Sequence, residues 1–554
     1  MSKNISHLSG RKGIKNNLFE QMTRFGELGR TPSTDESAII AKEYFVGQST
    51  LHGTTTFYDF LKAENMGKKA FVCNGSACLC AGTQTQVKLE LAKQISEDEI
   101  GTITCLGRCH ENSSFQYAGR NYSGEAINHF AEIKNNAESF QADKYNVSHL
   151  GAYPLLTAEF HDIDAIAAQV RKFLAQPAES LLTEIKISNL RGRGGAGFPA
   201  GFKWETCRNT KSDEKYVVCN ADEGDPGAYS DRYIMEHQPY RMLFGMMVAG
   251  YIADAQYGVV YIRAEYPESI EETANAITAL EKAGMLGENI QGSGFSFQFK
   301  IIKGAGAYIC GEETALLASI EGRRPEVNIR PPFPAVEGLF SKPTIVNNVE
   351  TFAAVPALLE MGGTEFAKIG NGRSTGTKLV SLDGFFNKPG IYEVPMGTPL
   401  KEVIDNLGGG FKQNIKALHI GGPLGGLVPV SKIADLTVDF ESFAQQGFLL
   451  GHASMVCIPE TFPIVEYIEH LFEFTADESC GKCFPCRLGS TRGKEMVGRA
   501  LHGAEKMDKA LLEDLLETMT LGSLCALGGG LPLPIKNALQ YFADELQPFF
   551  REGR

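Results

Sequence analysis

The sequence predicts an α/β protein of several domains, and three observations carry that prediction. Apolar strand-like runs such as YVVCNA, YGVVYIRA and FQFKIIKGAG alternate with helical stretches such as SIEETANAITALEKAG, the pattern of a sheet covered by helices. At 554 residues the chain outgrows a single hydrophobic core and has room for roughly three or four domains. Nine of its thirteen cysteines gather in two groups, one toward each end, in different local settings.

Taken in order, residues 14–70 read as helical, with apolar positions at helical spacing in IKNNLFEQMTRF and SAIIAKEYFV. KKAFVCNGSACLCAGTQTQVKLELAKQI reads as strand, cysteine loop and helix, and EIGTITCLGRCHENSSFQYAGRNYSG repeats strand and cysteine loop, so the segment forms a small α/β unit. Residues 135–160 show little periodicity and read as a linker. A mixed α/β body follows from about 165 to 360. Residues 375–440 turn short and β-rich, with TKLVSLDG, KALHIGG and GLVPVS broken by Gly and Pro, and from about 460 the chain is helical.

Composition removes some function classes. Lys and Arg number 53 against 66 Asp and Glu, a net charge of −13 that argues against nucleic acid or an anionic membrane as the main partner. The N-terminus has no apolar signal-like region and no run of eighteen apolar residues occurs, so the expectation is a cytoplasmic chain. Thirteen cysteines in a reducing compartment point to metal binding or catalysis rather than to disulfides.

Cys73-x4-Cys78 and Cys105-x3-Cys109 place two thiol pairs on two loops, which suits a 2Fe-2S cluster. A structural zinc site or buried free thiols are the alternatives, although zinc prefers a tighter C-x2-C knuckle. Cys80, two residues past Cys78 on an expected extended loop, faces the other way and is left out. Cys480-x2-Cys483-x2-Cys486 with a distant Cys525 puts three thiolates on one turn and a fourth on another loop, the pattern of a 4Fe-4S cluster. Gly481 and Gly528 permit close packing there and Pro485 fixes a bend. Arg487 is either a cation tuning that cluster or a solvated surface charge.

Gly192, Gly194 and Gly197 in LRGRGGAGFPAGFKW satisfy G-x-G-x-x-G, with Arg193 and Lys203 near enough in sequence to add charge at a phosphate. No clean apolar strand precedes the run, so an ordinary Rossmann site is not supported, and a ligand-free glycine turn is the alternative. Three further segments end strands or begin helices, where α/β folds collect ligands: NADEGDPG from Asn220, GAGAYICGEET from Gly304 and TIVNNVE from Thr344. Asn220, Asp222 and Asn347 suit the polar edge of a flavin, and glycine leaves a ring face open for a nicotinamide. Phe198 and Phe333 are candidates for stacking on adenine, with a core role as the plainer reading.

On these motifs, together with NADEGDPGAYSDR, KPTIVNNVET and ESCGKCFPCRLGSTR, the chain resembles the NADH-oxidising flavoprotein subunit of respiratory complex I and its soluble relatives, fused behind a domain resembling the small 2Fe-2S subunit. The resemblance implies a thioredoxin-like 2Fe-2S domain with N-terminal helices over 1–145 and a Rossmann-like FMN and NAD domain over 160–365. A ubiquitin-like β-grasp insertion is implied over 370–445, and a C-terminal helical bundle with the 4Fe-4S cluster over 455–554. Carried over by position, Gly192, Arg193, Gly194, Lys203, Asn220, Asp222, Tyr308, Gly311, Glu312, Asn347 and Asn348 surround FMN. Phe198, Glu223, Asp225, Glu313, Arg330 and Phe333 lie near the dinucleotide, with Glu223 and Glu313 as the catalytic carboxylates. The chain has Thr206 and Cys207 where complex I subunits tend to carry an aromatic, and Asp225 where they usually have glutamate. Asp225 keeps the carboxylate and with it the expected discrimination against a 2′-phosphate.

Among soluble relatives, ESCGKCFPCRLGSTRG, LGSLCALGGGLPLPI and GHASMV look most like the beta subunit of NAD-linked molybdenum- or tungsten-dependent formate dehydrogenases. That likeness implies a catalytic alpha subunit carrying molybdopterin and further iron-sulfur clusters, and a small 2Fe-2S subunit as an additional partner. The diaphorase subunit of an NAD-reducing hydrogenase is the alternative within the enzyme class. An electron-transfer scaffold without an active flavin is the alternative outside it.

Overall fold

The computed structural model describes residues 13–136, 143–152, 154–160, 162–503 and 505–551. Residues 1–12 of the expected N-terminal domain, residues 137–142 of the expected linker and the last three residues lie outside that description.

The N-terminal helices Leu18–Glu27, Thr34–Tyr44 and Gln48–Thr55 form where helical periodicity is legible. Asn17 caps the first, its Oδ1 accepting from Glu20 N at 3.1 Å, and Ser33 and Glu36 close a capping box on the second. They pack on the central body rather than on the neighbouring thiol-bearing unit. Asn17 Nδ2 donates to Ile320 O at 2.7 Å, and Phe19 and Tyr58 join one core with Val218, Val259 and Leu316.

The small α/β unit is a four-stranded sheet in the order β2-β1-β3-β4, made of β1 (Ala70–Cys73), β2 (Ile100–Ile103), β3 (Phe115–Tyr117) and β4 (Arg120–Tyr122). β1 runs parallel to β2 and antiparallel to β3. Asn146–His149, inside the expected linker, forms a strand, β5, although all its side chains are exposed. An edge strand solvated on both faces has no hydrophobic alternation to betray it.

The central sheet has the order β8-β7-β6-β9, from β6 (Tyr216–Ala221), β7 (Tyr257–Ile262), β8 (Gln298–Lys303) and β9 (Thr344–Asn348), all parallel. β6 and β7 are buried almost throughout, which explains why both read as continuous apolar runs. The third sheet follows a short hairpin of β10 (Gly370–Asn371) and β11 (Ser374–Thr375). It contains β12 (Thr377–Leu382), β13 (Gly390–Pro395), β14 (Ile415–Ile420), β15 (Gly426–Pro429) and β16 (Ser454–Pro459), in the order β15-β14-β16-β12-β13-β5. The β-rich unit therefore does not close at residue 445. Its inner strand β16 comes from later in the chain and its edge strand β5 from the expected linker, because hydrogen-bonded partners are chosen by adjacency in space. Glu393 of β13, fully buried, binds the strap that leaves β5, accepting from Leu155 N at 2.8 Å and Thr157 N at 2.9 Å.

Beyond β16 the chain is helical, with Ile464–Glu478, Phe484–Leu501, Lys509–Gly522 and Pro532–Tyr541 as its main helices. Among the described residues no helix is long and apolar enough to cross a membrane.

Candidate active site and metal centres

All four central strands point their carboxyl ends at one edge, and the segments singled out by sequence meet there. The glycine-rich run is a closed loop between helices Ala178–Ile187 and Ala200–Asn209. Its base is pinned by Gly192 N donating to Phe198 O at 2.8 Å and Ala200 N donating to Leu190 O at 2.9 Å. A Cβ on Gly194 would lie 3.0 Å from Asn348 Cβ, and Gly195 has φ +109°, so the loop needs glycine for approach and for conformation.

Lys203 leaves the following helix toward the strand ends, donating to Val346 O and Glu313 Oε2, both at 3.2 Å. Glu313 is bridged from the other side by Arg330 at 2.9 Å. Glu312 caps the helix Glu313–Ile320, with Oε2 accepting from Thr314 N and Ala315 N. Asn220 Nδ2 donates to Gly311 O at 2.7 Å, tying the β6 end to the β8 loop. Trp204, fully buried, donates to Asn347 Oδ1 at 3.0 Å, which orients that amide.

Two buried carboxylate oxygens, Asp222 Oδ2 and Glu312 Oε1, have no hydrogen-bond partner among the described residues. Burial pushes Asp222 well above the ordinary carboxylate range. Such atoms need donors from outside the chain, since an unmet buried acceptor costs about 1–3 kcal/mol. The ribityl hydroxyls of a flavin nucleotide supply such donors, and its phosphate suits the N-H groups of the glycine loop, so the residues present fit FMN.

Four expected site residues sit differently from the expectation. Arg193 is buried and does not aim its guanidinium at the loop mouth; Nη2 donates to Thr375 O at 2.6 Å and Nη1 to Arg191 O at 3.2 Å, making it a strut between loop and hairpin. Glu223 turns inward, accepting from Asp231 N at 2.9 Å and Arg232 N at 3.0 Å, so its carboxylate anchors the helix Ser230–His237 rather than facing a substrate. Asn348 is committed at both ends of its amide, with Oδ1 accepting from Glu350 N at 2.9 Å and Nδ2 donating to Asp231 at 2.5 Å. Asp225 accepts from the Tyr308 hydroxyl at 2.6 Å, and burial raises it above its ordinary range.

Around the mouth stand exposed rings. Phe198 and Phe333 are 43% and 54% exposed, and Phe202, which no motif singles out, is 59% exposed. Phe202 sets its ring edge-on to Phe198 at 5.7 Å. It lies one helical turn before Thr206, on the face where an aromatic is lacking at that position. His452, also unpredicted, reaches the same edge from the turn before β16, its Nε2 3.2 Å from Asp231 Oδ2.

The N-terminal thiols form two pairs. Cys105 and Cys109 sulfurs lie 3.7 Å apart, and Cys78 and Cys73 are near enough for the Cys73 thiol to be raised by its neighbour. A tetrahedral ion would draw all four sulfurs to within about 4 Å of one another. Among the described residues the only set of three His, Cys, Asp or Glu ligand atoms that close, within 4.8 Å, is Glu223, Asp231 and His452, so no three thiols converge on one ion. Cys78 and Cys80 both lie on the helix Ser76–Ala81, not on an extended loop, and Cys80 enters the large core instead. The Gly227 amide donates to Cys109 Sγ at 3.2 Å, and Cys105 Sγ lies 4.0 Å from Asp225 O, so this loop abuts the NADEGDPG turn.

At the other thiol group, Cys480 and Cys486 are buried while Cys483 and Cys525 are partly open. Pro485 sits in the first turn of Phe484–Leu501, and a Cβ on Gly528 would lie 2.6 Å from Cys486 Cβ, so both residues serve the close approach of the two loops. No three of these four sulfurs lie within 4.8 Å of one another. Arg487 stacks over the Phe484 ring at 5.3 Å, on the open side.

Residues 185–357 match the family model of the Nuo51 FMN-binding domain, and residues 466–548 that of the NADH-ubiquinone oxidoreductase-F iron-sulfur binding region. The chain is 45% identical over 379 residues to the NADP-reducing hydrogenase subunit HndC of Solidesulfovibrio fructosivorans, spanning 68% of this chain and 77% of that protein. It is 38% identical over 373 residues to the mitochondrial NADH dehydrogenase [ubiquinone] flavoprotein 1 of Dictyostelium discoideum, spanning 66% of this chain and 78% of that one. A chain of an air-oxidised NAD+-reducing [NiFe]-hydrogenase has the same fold, with TM-score 0.84, 24% identity and coverage of 99% and 95%.

Proposed function

Since the chain belongs to the family of NADH-binding FMN flavoproteins typified by the NADH-oxidising flavoprotein of complex I, we propose that it is the diaphorase subunit of an NAD-dependent formate dehydrogenase, holding both a 4Fe-4S and a 2Fe-2S cluster. FMN, when bound, takes a hydride as an electron pair and surrenders electrons singly to iron-sulfur carriers. This chain's residues do the placing. The glycine loop leaves backbone N-H groups for a phosphate, Asn220 braces the β6 end with both ends of its amide, Asn347 stands at the β9 end with its amide oriented by Trp204, and the Lys203–Glu313–Arg330 array stands at the opening for a dinucleotide.

The observation that carries the flavin reading is the pair of buried carboxylate oxygens without a hydrogen bond among the described residues, Asp222 Oδ2 and Glu312 Oε1, at the strand ends below that loop, the second of them 3.8 Å from Arg330 Nη1. The paired N-terminal sulfurs support a 2Fe-2S cluster over zinc, because each iron of that cluster takes two thiolates. The open side of the C-terminal centre, with Cys483 and Cys525 partly exposed beside Phe484, Leu488, Leu521 and Leu524, offers an apolar docking face for an electron-transfer partner.

The formate dehydrogenase context rests on the likeness of ESCGKCFPCRLGSTRG, LGSLCALGGGLPLPI and GHASMV. The hydrogenase context is the second reading, favoured by the 45% identity to HndC. Purification of the chain with its native partners separates them. Formate-driven NAD+ reduction and molybdenum or tungsten in the complex support the first, and hydrogen-driven reduction replaces it with the second. A chain that is colourless after reconstitution with FMN and inactive in NADH-to-dye assay would sink both.

A further inference from the structure

His452 stands outside every motif of the dinucleotide and flavin loops, yet its ring is buried at their centre. Nε2 lies 3.2 Å from Asp231 Oδ2 and 3.7 Å from Glu223 Oε1, while Nδ1 lies 3.4 Å from Ser230 Oγ, which in turn is 3.4 Å from Glu223 Oε1. Both ring nitrogens thus face oxygens. Asp231 passes the contact on, taking Asn348 Nδ2 at 2.5 Å, and Asn348 is the residue against which Gly194 closes. The backbone of Gly451 and His452 packs on Gly195 of the same loop.

We propose that His452 is a positioning residue of the flavin site, a buried ring that fixes Asp231 and, through it, the Asn348 wall behind the glycine loop. The inference rests on the FMN reading above. Charged groups face His452 from each element around it: Asp231 from the helix Ser230–His237, Glu223 and Asp225 from the turn after β6, and Lys378 from β12. Burial alone lowers the imidazole; Asp231 and Glu223 outweigh both burial and Lys378, and the ring ends raised to about 9. Glu223 is pushed up to about 7 by burial and by Asp231, with His452 pulling it down. Removing the imidazolium therefore leaves two buried carboxylates facing each other without a counter-charge. A divalent cation in its place is disfavoured, because the Glu223 oxygens already take the Asp231 and Arg232 amides.

The test is FMN dissociation from the full chain, followed by flavin fluorescence at pH 6, 7.5 and 8.5. For the wild type the constant stays within about threefold over this range. His452→Gln weakens binding at least tenfold at pH 8.5 and recovers most of the loss at pH 6, where Glu223 takes up a proton. His452→Gln combined with Asp231→Asn returns to within about threefold of the wild type at all three. Equal binding by His452→Gln and wild type, or a double variant no tighter than the single one, overturns the proposal. Should the variants fail to fold, histidine NMR of the wild type decides instead: the ring must stay protonated through pH 8, and a neutral ring at pH 7.5 refutes the role. A wild-type chain that binds no FMN at any pH defeats the flavin reading itself, a different result from flavin binding that ignores His452.

Discussion

At the scale of single residues, the choice between NADH and NADPH turns on which carboxylate stands at the dinucleotide opening. A 2′-phosphate about 4 Å from a carboxylate is repelled by roughly 4 kcal/mol per charge pair at an effective dielectric of 20. Asp225 is the source expected from sequence, but it is buried and tied to the Tyr308 hydroxyl at 2.6 Å, with burial raising it above its ordinary range. Glu313 stands instead between Lys203 and Arg330 at the opening. Glu313→Gln removes the repulsion and leaves two cations, so kcat/KM for NADPH relative to NADH should rise at least tenfold, about 1.4 kcal/mol. Asp225→Ser should change that ratio less than tenfold. A larger effect of Asp225 than of Glu313 in the same kinetic comparison would restore the reading by sequence.

At the scale of elements, the central body and the β-grasp sheet are locked by charge as well as by packing. Lys378 of β12 and Glu350 of the helix Val349–Ala353 form an ion pair with no exposure of either side chain, and Leu379 N adds a bond to Glu350 at 3.0 Å. Lys378→Met strands a buried carboxylate and should lower stability by about 3–5 kcal/mol, read from denaturant midpoints. Pairing it with Glu350→Leu should recover most of that loss. The His452 contact joins the same two elements and carries a pH signature. Its folded value near 9 lies above the 6.5 of an unfolded imidazole, so its stabilisation is complete below pH 6.5 and disappears as pH rises through 9. The thermal midpoint should fall between pH 7 and 10, by up to about 3 kcal/mol in stability, with a flatter profile in His452→Gln.

At the scale of the whole molecule, the two thiol groups occupy different positions relative to the flavin edge. The N-terminal loop is stitched to the central body through a described part of the expected linker: Asp143 lies against Arg108, at 3.1 Å from His110 Nε2 and at 2.5 Å from Arg232 Nη2. Burial would raise the Asp143 carboxyl, and the Arg232 charge, the His110 hydrogen bond and the Arg108 charge hold it well below the ordinary range. The C-terminal group instead opens outward beside apolar side chains. Cys483→Ala should therefore abolish electron delivery to the physiological partner while NADH-to-dye activity persists at the flavin; unchanged partner-coupled turnover would remove that centre from the route. Cys105→Ser should erase the EPR signal of the proposed 2Fe-2S cluster in the reduced protein and leave the 4Fe-4S signal, since Cys480, Cys483, Cys486 and Cys525 come from the C-terminal helices and their loops. Joint loss of both signals would show that the clasp transmits disorder between them.

What the sequence by itself determined are the features written in short spacings. C-x2-C-x2-C with Cys525, the two thiol pairs, the glycine run and the apolar strands β6 and β7 are local patterns, legible because loop and strand geometry act over a few residues. What only the tertiary structure decided are the partnerships between distant segments. Nothing in the 135–160 stretch announces that Asn146–His149 completes a sheet begun at Thr377, because a solvated edge strand shows no alternation. Nor do near neighbours in sequence reveal that His452 meets Asp231, or that Arg193 is a strut while Phe202 stands at the mouth. Charge, backbone bonding and exposure act through space, so the same Arg, Glu or Asn in a motif binds a ligand or braces the fold according to what the rest of the chain brings beside it.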